Sequence, residues 1–370
     1  EIDAGRPLII GTYTDELKHF VVGYGYQNMV REDGVDYEGY IVHFGWGSTG
    51  NNAWINSRWC NSYIRLTMQH THNHNIDTGR TINHTHRELN CSECGYRTVD
   101  NLYNTNSAGT EIKGLRYSIS GSITIPSQIN GRTVTQIGEF AFYNCILLTN
   151  IIIPDSVTSI GEYAFAHCNG LTSITFAPNS QLTSIGKGAF FGCSFLMDIT
   201  IPDSVTSIGI DAFFSCVRLE EIIIPDSVTN IGSSAFDTCS NLTNVTISSG
   251  VTSIGDYAFY GCVKLTEINY YATSMADLSI NNGVFSNAGQ NGSGITLNIG
   301  ANVRKIPSYL SYNVSKITKV NFTEENACQT IGNGAFQGCG GLISILIPNS
   351  VSNIGSDAFN GCSALTTIYF

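Results

Sequence analysis

Apolar and polar residues alternate in short stretches over the second two-thirds of the chain. In residues 172–176 (TSITF), Ile174 and Phe176 lie on one side of an extended segment, and Ser173 and Thr175 lie on the other. A period of two is typical of a β-strand with one buried face. We therefore predict a strand at this position, with Ile174 and Phe176 in a core.

The stretch before this strand has a different pattern. Residues 154–171 read PDSVTSIGEYAFAHCNGL. The proline ends the pairing of the preceding strand, and Val157 and Ile160 form a second apolar edge. Gly161 allows a tight corner, after which residues 162–168 are predicted to form one short helical turn. The side chains that this turn directs inward are Ala164, Phe165 and Cys168.

The whole phrase recurs along the chain at a nearly constant interval. Its Phe-x-x-Cys step ends at Cys145, Cys168, Cys193, Cys216, Cys239 and Cys262, and again at Cys339 and Cys362. Placing 285–288 (FSNA) and 310–313 (LSYN) in the same frame divides the long interval between Cys262 and Cys339 into three of similar length. Ten units with a fixed period predict a solenoid, in which each unit buries its apolar face against its neighbours.

This recurring phrase resembles the BspA-like leucine-rich repeats of bacterial and protozoan surface proteins, over about residues 119–370. The resemblance implies a curved solenoid, at the cell surface or secreted, that binds or adheres to host or matrix proteins, without catalysis. The predicted fold class is an α/β leucine-rich repeat solenoid of about ten units, spanning residues 115–370. Each unit has roughly 23–26 residues, a length typical of such repeats. A β-rich fragment precedes the solenoid.

The charge balance narrows the class of partner. The chain has 18 basic and 29 acidic residues and a net charge of −11, and neither residues 1–114 nor residues 115–370 are basic. This excludes the electrostatic pattern of proteins that bind nucleic acid or anionic membranes. No apolar stretch is long enough to span a membrane, and no signal peptide opens the chain. Because the sequence begins with Glu1 and ends inside a repeat strand, we expect a piece of a longer protein.

Eight of the twelve cysteines occupy one position of the repeat. A residue that takes the same inward position in every coil is most simply a small buried hydrophobic residue. Neighbouring thiols would lie roughly 4.8 Å apart, one strand spacing, so that oxidation is geometrically conceivable. We predict a column of buried, reduced thiols.

Three apolar strands are predicted in residues 5–11 (GRPLIIG), 19–26 (HFVVGYGY) and 40–47 (YIVHFGWG). Their order and content resemble the C-terminal half of a papain-like cysteine peptidase of the streptopain type, assigned to residues 1–68. The resemblance implies that His19 is the imidazole that deprotonates a thiol. His43 takes the place of the Asn or Asp that orients this imidazole, and Trp46 shields their contact.

The nucleophile of such a site is missing from the chain. In that family the catalytic Cys precedes the His by a hundred residues or more, whereas only eighteen residues precede His19, none of them Cys. Cys60 comes too late in the order. Either the parent protein carries the Cys upstream of residue 1, or residues 1–68 are a degenerate remnant, so that the sequence leaves enzymatic activity open.

Residues 69–114 are rich in histidine and cysteine. The pattern His-x-His recurs there, and Cys91 and Cys94 form a Cys-x-x-Cys-Gly knuckle. Zinc prefers four N or S ligands in a tetrahedron, which His84, His86, Cys91 and Cys94 could supply. A structural zinc module, a Cys91–Cys94 disulfide and a metal-free linker all fit the sequence.

The predicted binding face consists of the outward side chains of the stacked strands. Its central residues are Asp198, Thr200, Glu221, Ile223, Asn244, Thr246, Glu267 and Asn269. A neutral to acidic row with a few apolar residues suits a protein or glycan partner better than a phosphate-bearing one. The first hypothesis is a binding or adhesion protein of the bacterial surface. The second is a secreted papain-like cysteine peptidase that its repeats direct to a substrate.

The zinc alternative predicts that a purified fragment of residues 60–115 carries about one equivalent of the metal. Elemental analysis measures this directly, with Cys91→Ser as the matched variant that should release it. Less than about 0.2 equivalents would leave the disulfide and the metal-free linker.

Overall fold

The computed structural model describes residues 102–116, 119–323 and 325–370, and only the backbone of eight strands among residues 1–101. The chain divides into two compact units, Glu1–Leu102 and Tyr103–Phe370. The second unit contains all the predicted repeats.

The described strands of the first unit are short and pair only in antiparallel fashion. Their bounds are β1 Ile9–Ile10, β2 Val21–Val22, β3 Gln27–Val30, β4 Asp36–His43, β5 Asn52–Asn56, β6 Tyr63–Ile64, β7 Leu66–Gln69 and β8 Ile82–Asn83. Strand β1 pairs with β2, β6 pairs with β8, and a four-stranded sheet has the order β3-β4-β5-β7. Each of the three predicted apolar stretches therefore contains strand backbone, and His43 is the last residue of β4.

The second unit begins with short hairpins and then settles into the repeat. The bounds in the first part are β9 Tyr103–Thr105, β10 Glu111–Leu115, β11 Gly121–Thr124, β12 Gln128–Ile129, β13 Arg132–Thr133, β14 Gln136–Ile137, β15 Leu148–Ile153, β16 Ser159–Ile160, β17 Ser173–Phe176, β18 Ser184–Ile185, β19 Asp198–Ile199 and β20 Ser207–Ile208. Those in the second part are β21 Glu221–Ile224, β22 Asn230–Ile231, β23 Asn244–Ile247, β24 Ser253–Ile254, β25 Glu267–Tyr270, β26 Ile295–Ile299, β27 Lys305–Ile306, β28 Ile317–Phe322, β29 Thr330–Ile331, β30 Ser344–Leu346, β31 Asn353–Ile354 and β32 Thr367–Tyr369.

Each coil contributes one strand to each of two parallel ladders, except that the coil of β26 has no strand in the short one. The long ladder consists of β11-β15-β17-β19, then β21-β23-β25-β26-β28, then β30-β32. The short ladder runs from β10 and β14 through β24 and resumes as β27-β29-β31. Eleven strands in the long ladder, with ten turn segments between them, make residues 103–370 a parallel β-solenoid.

Residues 103–137 differ from the coils that follow. Strand β9 folds back on β10 in an antiparallel hairpin, and β10 pairs in parallel with β14. A second hairpin joins β12 to β13 through Asn130 and Gly131, which both have positive φ. Asn-Gly is the preferred pair for such a two-residue turn. Residues 103–115 thus supply the first strand of the short ladder.

The core is a set of columns along the axis of the solenoid. Val157, Ile160 and Ile174 are at most 5% exposed, whereas the equivalent Ile354 and Ile368 of the last coil are 42% and 39% exposed. Ile174 faces inward as predicted, whereas Phe176 is only half-buried. At Gly161, a Cβ atom would lie within about 3 Å of the backbone of the preceding coil. Glycine is needed there because two coils approach closely.

The predicted helical turn is wrong. Residues 103–116, 119–323 and 325–370 contain no helix, and residues 162–168 form successive tight turns instead. The N–H groups of Tyr163, Phe165 and His167 donate to carbonyls of the next coil at 2.7–2.8 Å. Only alternate N–H groups, such as that of Ala166, bond within the segment. In a helix, successive N–H groups would instead donate to carbonyls of the same segment. The fold class is therefore all-β rather than α/β.

Two residues of every turn segment have a left-handed backbone. Tyr163 and His167 have φ values of 51° and 60°, and the same two positions have positive φ in all ten segments of residues 138–362. Glycine fills them in the third segment, as Gly188 and Gly192. These two left-handed residues are the first and the last of the three whose N–H groups donate to the next coil.

Phenylalanine and cysteine form the two most regular columns. The rings of Phe165, Phe190 and Phe213 stack at centroid distances of 5.2–5.3 Å, within a series from Phe142 to Phe285. The thiol of Cys193 donates to the Phe165 carbonyl at 3.1 Å. All nine described cysteines are unpaired thiols, and burial raises the pKa of Cys193 to about 12. Six of the eight repeat thiols are buried as predicted, and Cys145 and Cys362, at the two ends of the column, are half-buried. S–H groups such as those of Cys193 and Cys216 bond to the preceding coil.

The eighth turn segment departs from the predicted frame by one residue. Leu310 occupies the alanine position, Ser311 the phenylalanine position and Val314 the cysteine position, since the Val314 N–H bonds to the Ser311 carbonyl. The thiol of Cys339 accordingly donates to Ser311 rather than to a phenylalanine carbonyl. The sequence frame failed because leucine resembles phenylalanine in hydrophobicity but fills the neighbouring position.

Gly188→Ala is expected to destabilise the solenoid by about 1–3 kcal/mol through overpacking, in addition to the strain of its left-handed backbone. The added Cβ atom would lie 2.3–3.1 Å from ring atoms of Tyr163. Urea unfolding measures the loss, and Gly188→Ala made in a Tyr163→Ala background should cost only the strain of the left-handed backbone.

The control for backbone strain is Gly261→Ala. Gly261 has a similar φ of 66°, but its nearest neighbour would be 3.3 Å from the new Cβ atom. Only the cost of the left-handed conformation, about 1–2 kcal/mol, is expected there. An equal cost of Gly188→Ala with and without the Tyr163→Ala background would show that the contact with Tyr163 is not the cause.

Candidate functional site

The outward side chains of the long ladder form two adjacent columns, which we call the strand face. In the first column Glu221, Asn244 and Glu267 are in register across β21, β23 and β25. The second column places Ile223 beside Thr246 on the next strand. Strand pairing therefore brings the outward residues of successive coils together on one surface.

The predicted binding residues all lie on or next to this face. Asp198, Thr200, Glu221 and Ile223 are exposed, and Asn244, Thr246, Glu267 and Asn269 are half-buried. Asp198 pairs with Ser173 in β17, and Thr200 follows directly after β19. The structure gives these residues a common surface, while their role in binding stays a prediction.

Asparagine side chains link four coils of the strand face. Asn269 donates to Asn244 at 3.2 Å, Asn298 donates to Asn269 at 2.9 Å, and Asn321 donates to Asn298 at 2.8 Å. Asn298 also donates to a Glu267 carboxylate oxygen at 2.8 Å. These bonds hold the amides in one orientation, so that this part of the face is rigid.

The sequence analysis missed two members of the columns. Thr296 and Asn298 of β26 pair with Glu267 and Asn269, but the coil that contains them is longer than the common period of the repeat. The alternation in residues 295–299 (ITLNI) is the signal that could have identified them.

The rim of the strand face carries a second feature that the sequence analysis missed. Phe195 and Met197 are 42% and 44% exposed, and the Arg218 guanidinium lies 4.1 Å from the centroid of the Phe195 ring. Aromatic residues, methionine and arginine are the types most enriched at protein interfaces. These residues lie just before the strands, so that a search limited to the outward positions of the strands does not include them.

The electrostatics of this region are acidic. Asp198, Glu220 and Glu221 are exposed beside the rim. The ion pairs that the structure shows in its described residues join Lys113 to Glu111 and Lys305 to Asp277, so that these three carboxylates have no cationic partner there. The surface can therefore attract basic groups of a partner.

One carboxyl group lies apart from the strand face, on the turn segment of the fifth coil. The pKa of Asp237 is raised to about 6, chiefly by partial burial and also by the nearby Asp211, against a hydrogen bond from Ser234 that lowers it. One Asp237 oxygen is buried without a hydrogen-bond partner. This carboxyl is destabilised in its charged form.

The other predicted site residues lie outside the described part of the chain. His19 and Trp46 of the papain-like site and His84, His86, Cys91 and Cys94 of the zinc site are among these, and of His43 only the backbone is described. Within the described residues, no cluster of three or more His, Cys, Asp or Glu could hold a metal ion. No helix described by the structure has the length and hydrophobicity to cross a membrane.

Two parallel ladders joined by a repeated turn define a leucine-rich repeat solenoid. The chain belongs to the family of BspA type leucine rich repeat regions, whose model matches in six copies over residues 116–242, 171–291 and 278–370. This confirms the resemblance for the solenoid. The family model covers none of residues 1–115, so that the papain-like resemblance stays a prediction.

Several solved structures are similar to the chain. A leucine-rich repeat protein of T. pallidum is 32% identical, covering 51% of this chain and 86% of its own, with a TM-score of 0.44. A leucine rich cell surface protein of Faecalibacterium prausnitzii is 26% identical over 72% of this chain and 92% of its own, with a TM-score of 0.39. The pneumococcal vaccine antigen PcpA is 18% identical over 89% and 81%, with a TM-score of 0.39. No curated protein matches the chain significantly.

Asp237→Asn is expected to make stability less dependent on pH. In the folded chain the carboxyl keeps its proton up to about pH 6, whereas in the unfolded chain it loses the proton at about pH 3.9. Ionisation of Asp237 therefore lowers the free energy of unfolding as the pH rises through this window. Relative to the unchanged chain, the free energy of unfolding of the variant should be the same at pH 3.5 and higher by at most about 1 kcal/mol at pH 7.5. The gain is small because solvent screens the exposed half of the group. Thermal unfolding at both values measures this.

Asp226→Asn provides a control of opposite sign. Hydrogen bonds from Ser249 lower the pKa of Asp226, so that its stabilising effect is present at neutral pH and is lost in acid. This variant should be less stable at pH 7.5 and unchanged well below the ordinary aspartate pKa. An equal gain from Asp237→Asn at both pH values would contradict the assignment.

Proposed function

We propose that the protein lies on a cell surface and binds another protein through the strand face of its solenoid. The exposed Phe195–Arg218 pair beside carboxylates without cationic partners is the observation that carries this proposal. Interface energy concentrates in a few aromatic and arginine residues, surrounded by contacts that exclude water. Phe195, Met197 and Arg218 have this composition, and the acidic residues around them can steer a basic partner.

The regularity of the backbone supports the same proposal. Stacked strands fix the spacing of the outward side chains, and the asparagine bonds hold four coils in place. A partner then meets a preorganised surface, which lowers the entropy cost of association. The location at a cell surface rests on the family, because the resemblance described above identifies BspA-like proteins as surface proteins.

The peptidase hypothesis remains a prediction about the parent protein. No observation on the described residues favours it. A thiol-directed covalent inhibitor that fails to label the full-length parent would remove it.

The double variant Phe195→Ser/Met197→Ser tests the binding function. We expect at least a tenfold loss of affinity for immobilised extracellular matrix proteins, because removing one central interface residue costs about 2 kcal/mol or more. Surface plasmon resonance with the full chain measures the affinity.

Leu147→Ser/Ile343→Ser is the matched control. These residues take the same two positions of other coils and are each 59% exposed, so that the control removes comparable apolar surface far from Arg218. The charge reversals Glu221→Lys and Glu267→Lys form a second arm. Unchanged binding of both the serine variant and the charge-reversal variants would mean that the repeats act as a spacer. If the chain bound to a glycan array but to no matrix protein, the partner would be a glycan rather than a protein.

A further inference from the structure

A cluster of aromatic side chains lies on the turn segments of the first four coils, away from both strand ladders. We call it the aromatic patch, and it consists of Phe140, Tyr143, Tyr163, His167, Phe191 and Phe214. Phe140 and Tyr143 are each 48% exposed, and the other four are half-buried. Neither the repeat pattern nor the proposed function accounts for these rings.

The six rings are in continuous contact across the coils. Phe140 stacks on Tyr163 at 5.4 Å, and Phe191 stacks on Phe214 at 4.8 Å. His167 joins the two stacks, with its ring edge-on to Tyr143 at 5.6 Å and to Phe191 at 5.4 Å. The patch is therefore one apolar surface rather than scattered exposed side chains.

Ala166 shows how closely the rings pack. Its position in the turn segment faces outward, and the equivalent Phe191 and Asp237 of later coils are half-exposed. Ala166 itself is fully buried, because the surrounding rings cover it. A larger side chain there would separate the two stacks.

The solenoid does not require aromatic residues at these positions. The fifth coil carries Ser234 and Asp237 in the places of Phe140 and Tyr143, and the tenth carries Asp357 and Asn360. Both coils make the same tight turns with positive φ at the first position. Ten copies of one turn thus serve as an internal comparison, and they show that the patch is an addition to the fold. Exposed apolar clusters of this kind mark interaction sites.

The charges around the patch indicate the chemistry of its partner. Glu139 and Glu162 are exposed next to Phe140 and Tyr163, and neither takes part in an ion pair within the described residues. Lys187 lies with its Nζ 5.7 Å from the centroid of the Tyr163 ring, so that the chain already places one cation on these rings. Apolar rings beside two unpaired carboxylates complement a segment that is both apolar and basic.

We propose that the aromatic patch is a second docking surface, which binds a basic, amphipathic segment of a partner protein. Apolar side chains of the segment pack on Phe140 and Tyr143, and its lysine or arginine residues pair with Glu139 and Glu162. This surface is separate from the strand face, so that the chain can hold two partners, or two parts of one partner, at once.

The test uses the full chain and a defined probe. The probe is a fluorescent peptide of about 14 residues with lysine and leucine in an amphipathic helical pattern, and its twin carries glutamate in place of lysine. Fluorescence anisotropy should show binding of the lysine peptide and at least tenfold weaker binding of its twin. Phe140→Ser/Tyr143→Ser should weaken binding of the lysine peptide about tenfold or more.

Two matched controls separate the patch from general effects of charge and exposure. Tyr309→Ser/Tyr312→Ser removes the equivalent edge-to-face pair of the eighth coil, with ring centroids 5.8 Å apart, and should leave binding unchanged. Phe195→Ser/Met197→Ser should also leave it unchanged, which distinguishes failure of this proposal from failure of the strand-face function.

Glu139→Gln/Glu162→Gln tests the contribution of the two carboxylates and does not depend on the folding of the double serine variant. Both glutamates are exposed and glutamine has the same shape, so that this variant should fold and bind the lysine peptide about three- to tenfold more weakly. Unchanged binding, or equal binding of the twin peptide, would overturn the proposal. Binding of an uncharged chito-oligosaccharide to the patch in place of the peptide would also overturn it.

Discussion

Backbone hydrogen bonds between successive coils hold residues 103–370 in their fold. They form along the strands, and they also form along the turn segments, where Tyr163, Phe165 and His167 donate to carbonyls of the next coil. A single coil cannot satisfy these groups, because their acceptors belong to its neighbour. The two left-handed residues of each turn, the close approach at Gly161 and the regular columns of phenylalanine and cysteine follow from this one requirement.

Most of the solenoid could be predicted from the sequence. The period, the strands, the inward Val157 and Ile160, and the buried thiols depend on side-chain pattern, which the repeats display many times. The helical turn was wrong because Ala164, Phe165 and Cys168 also fit one face of a helix. Only the hydrogen-bond partners of alternate N–H groups distinguish the two, and those partners lie a full coil away in the sequence.

The surfaces were harder to predict than the core. Alternation located the outward residues of the strands, and the structure places Glu221, Asn244 and Glu267 in register. The alternation pattern did not identify Asn298, whose coil is lengthened by an insertion. It also did not identify the Phe195–Arg218 contact, which joins two loops of adjacent coils. Contacts between loops depend on stacking geometry, so that a pattern within one repeat does not reveal them.

The identical register of the coils has a consequence for how such a chain can change its length. Among the coils that carry both phenylalanine and cysteine, loss or duplication of one whole unit restores the columns, from the stacked rings to the thiol bonds, and joins old neighbours to equivalent new ones. Recombination between repeats is therefore structurally silent for the core. It changes which loops become adjacent, so that contacts such as Arg218 on Phe195 can be gained or erased in one genetic event while the scaffold persists.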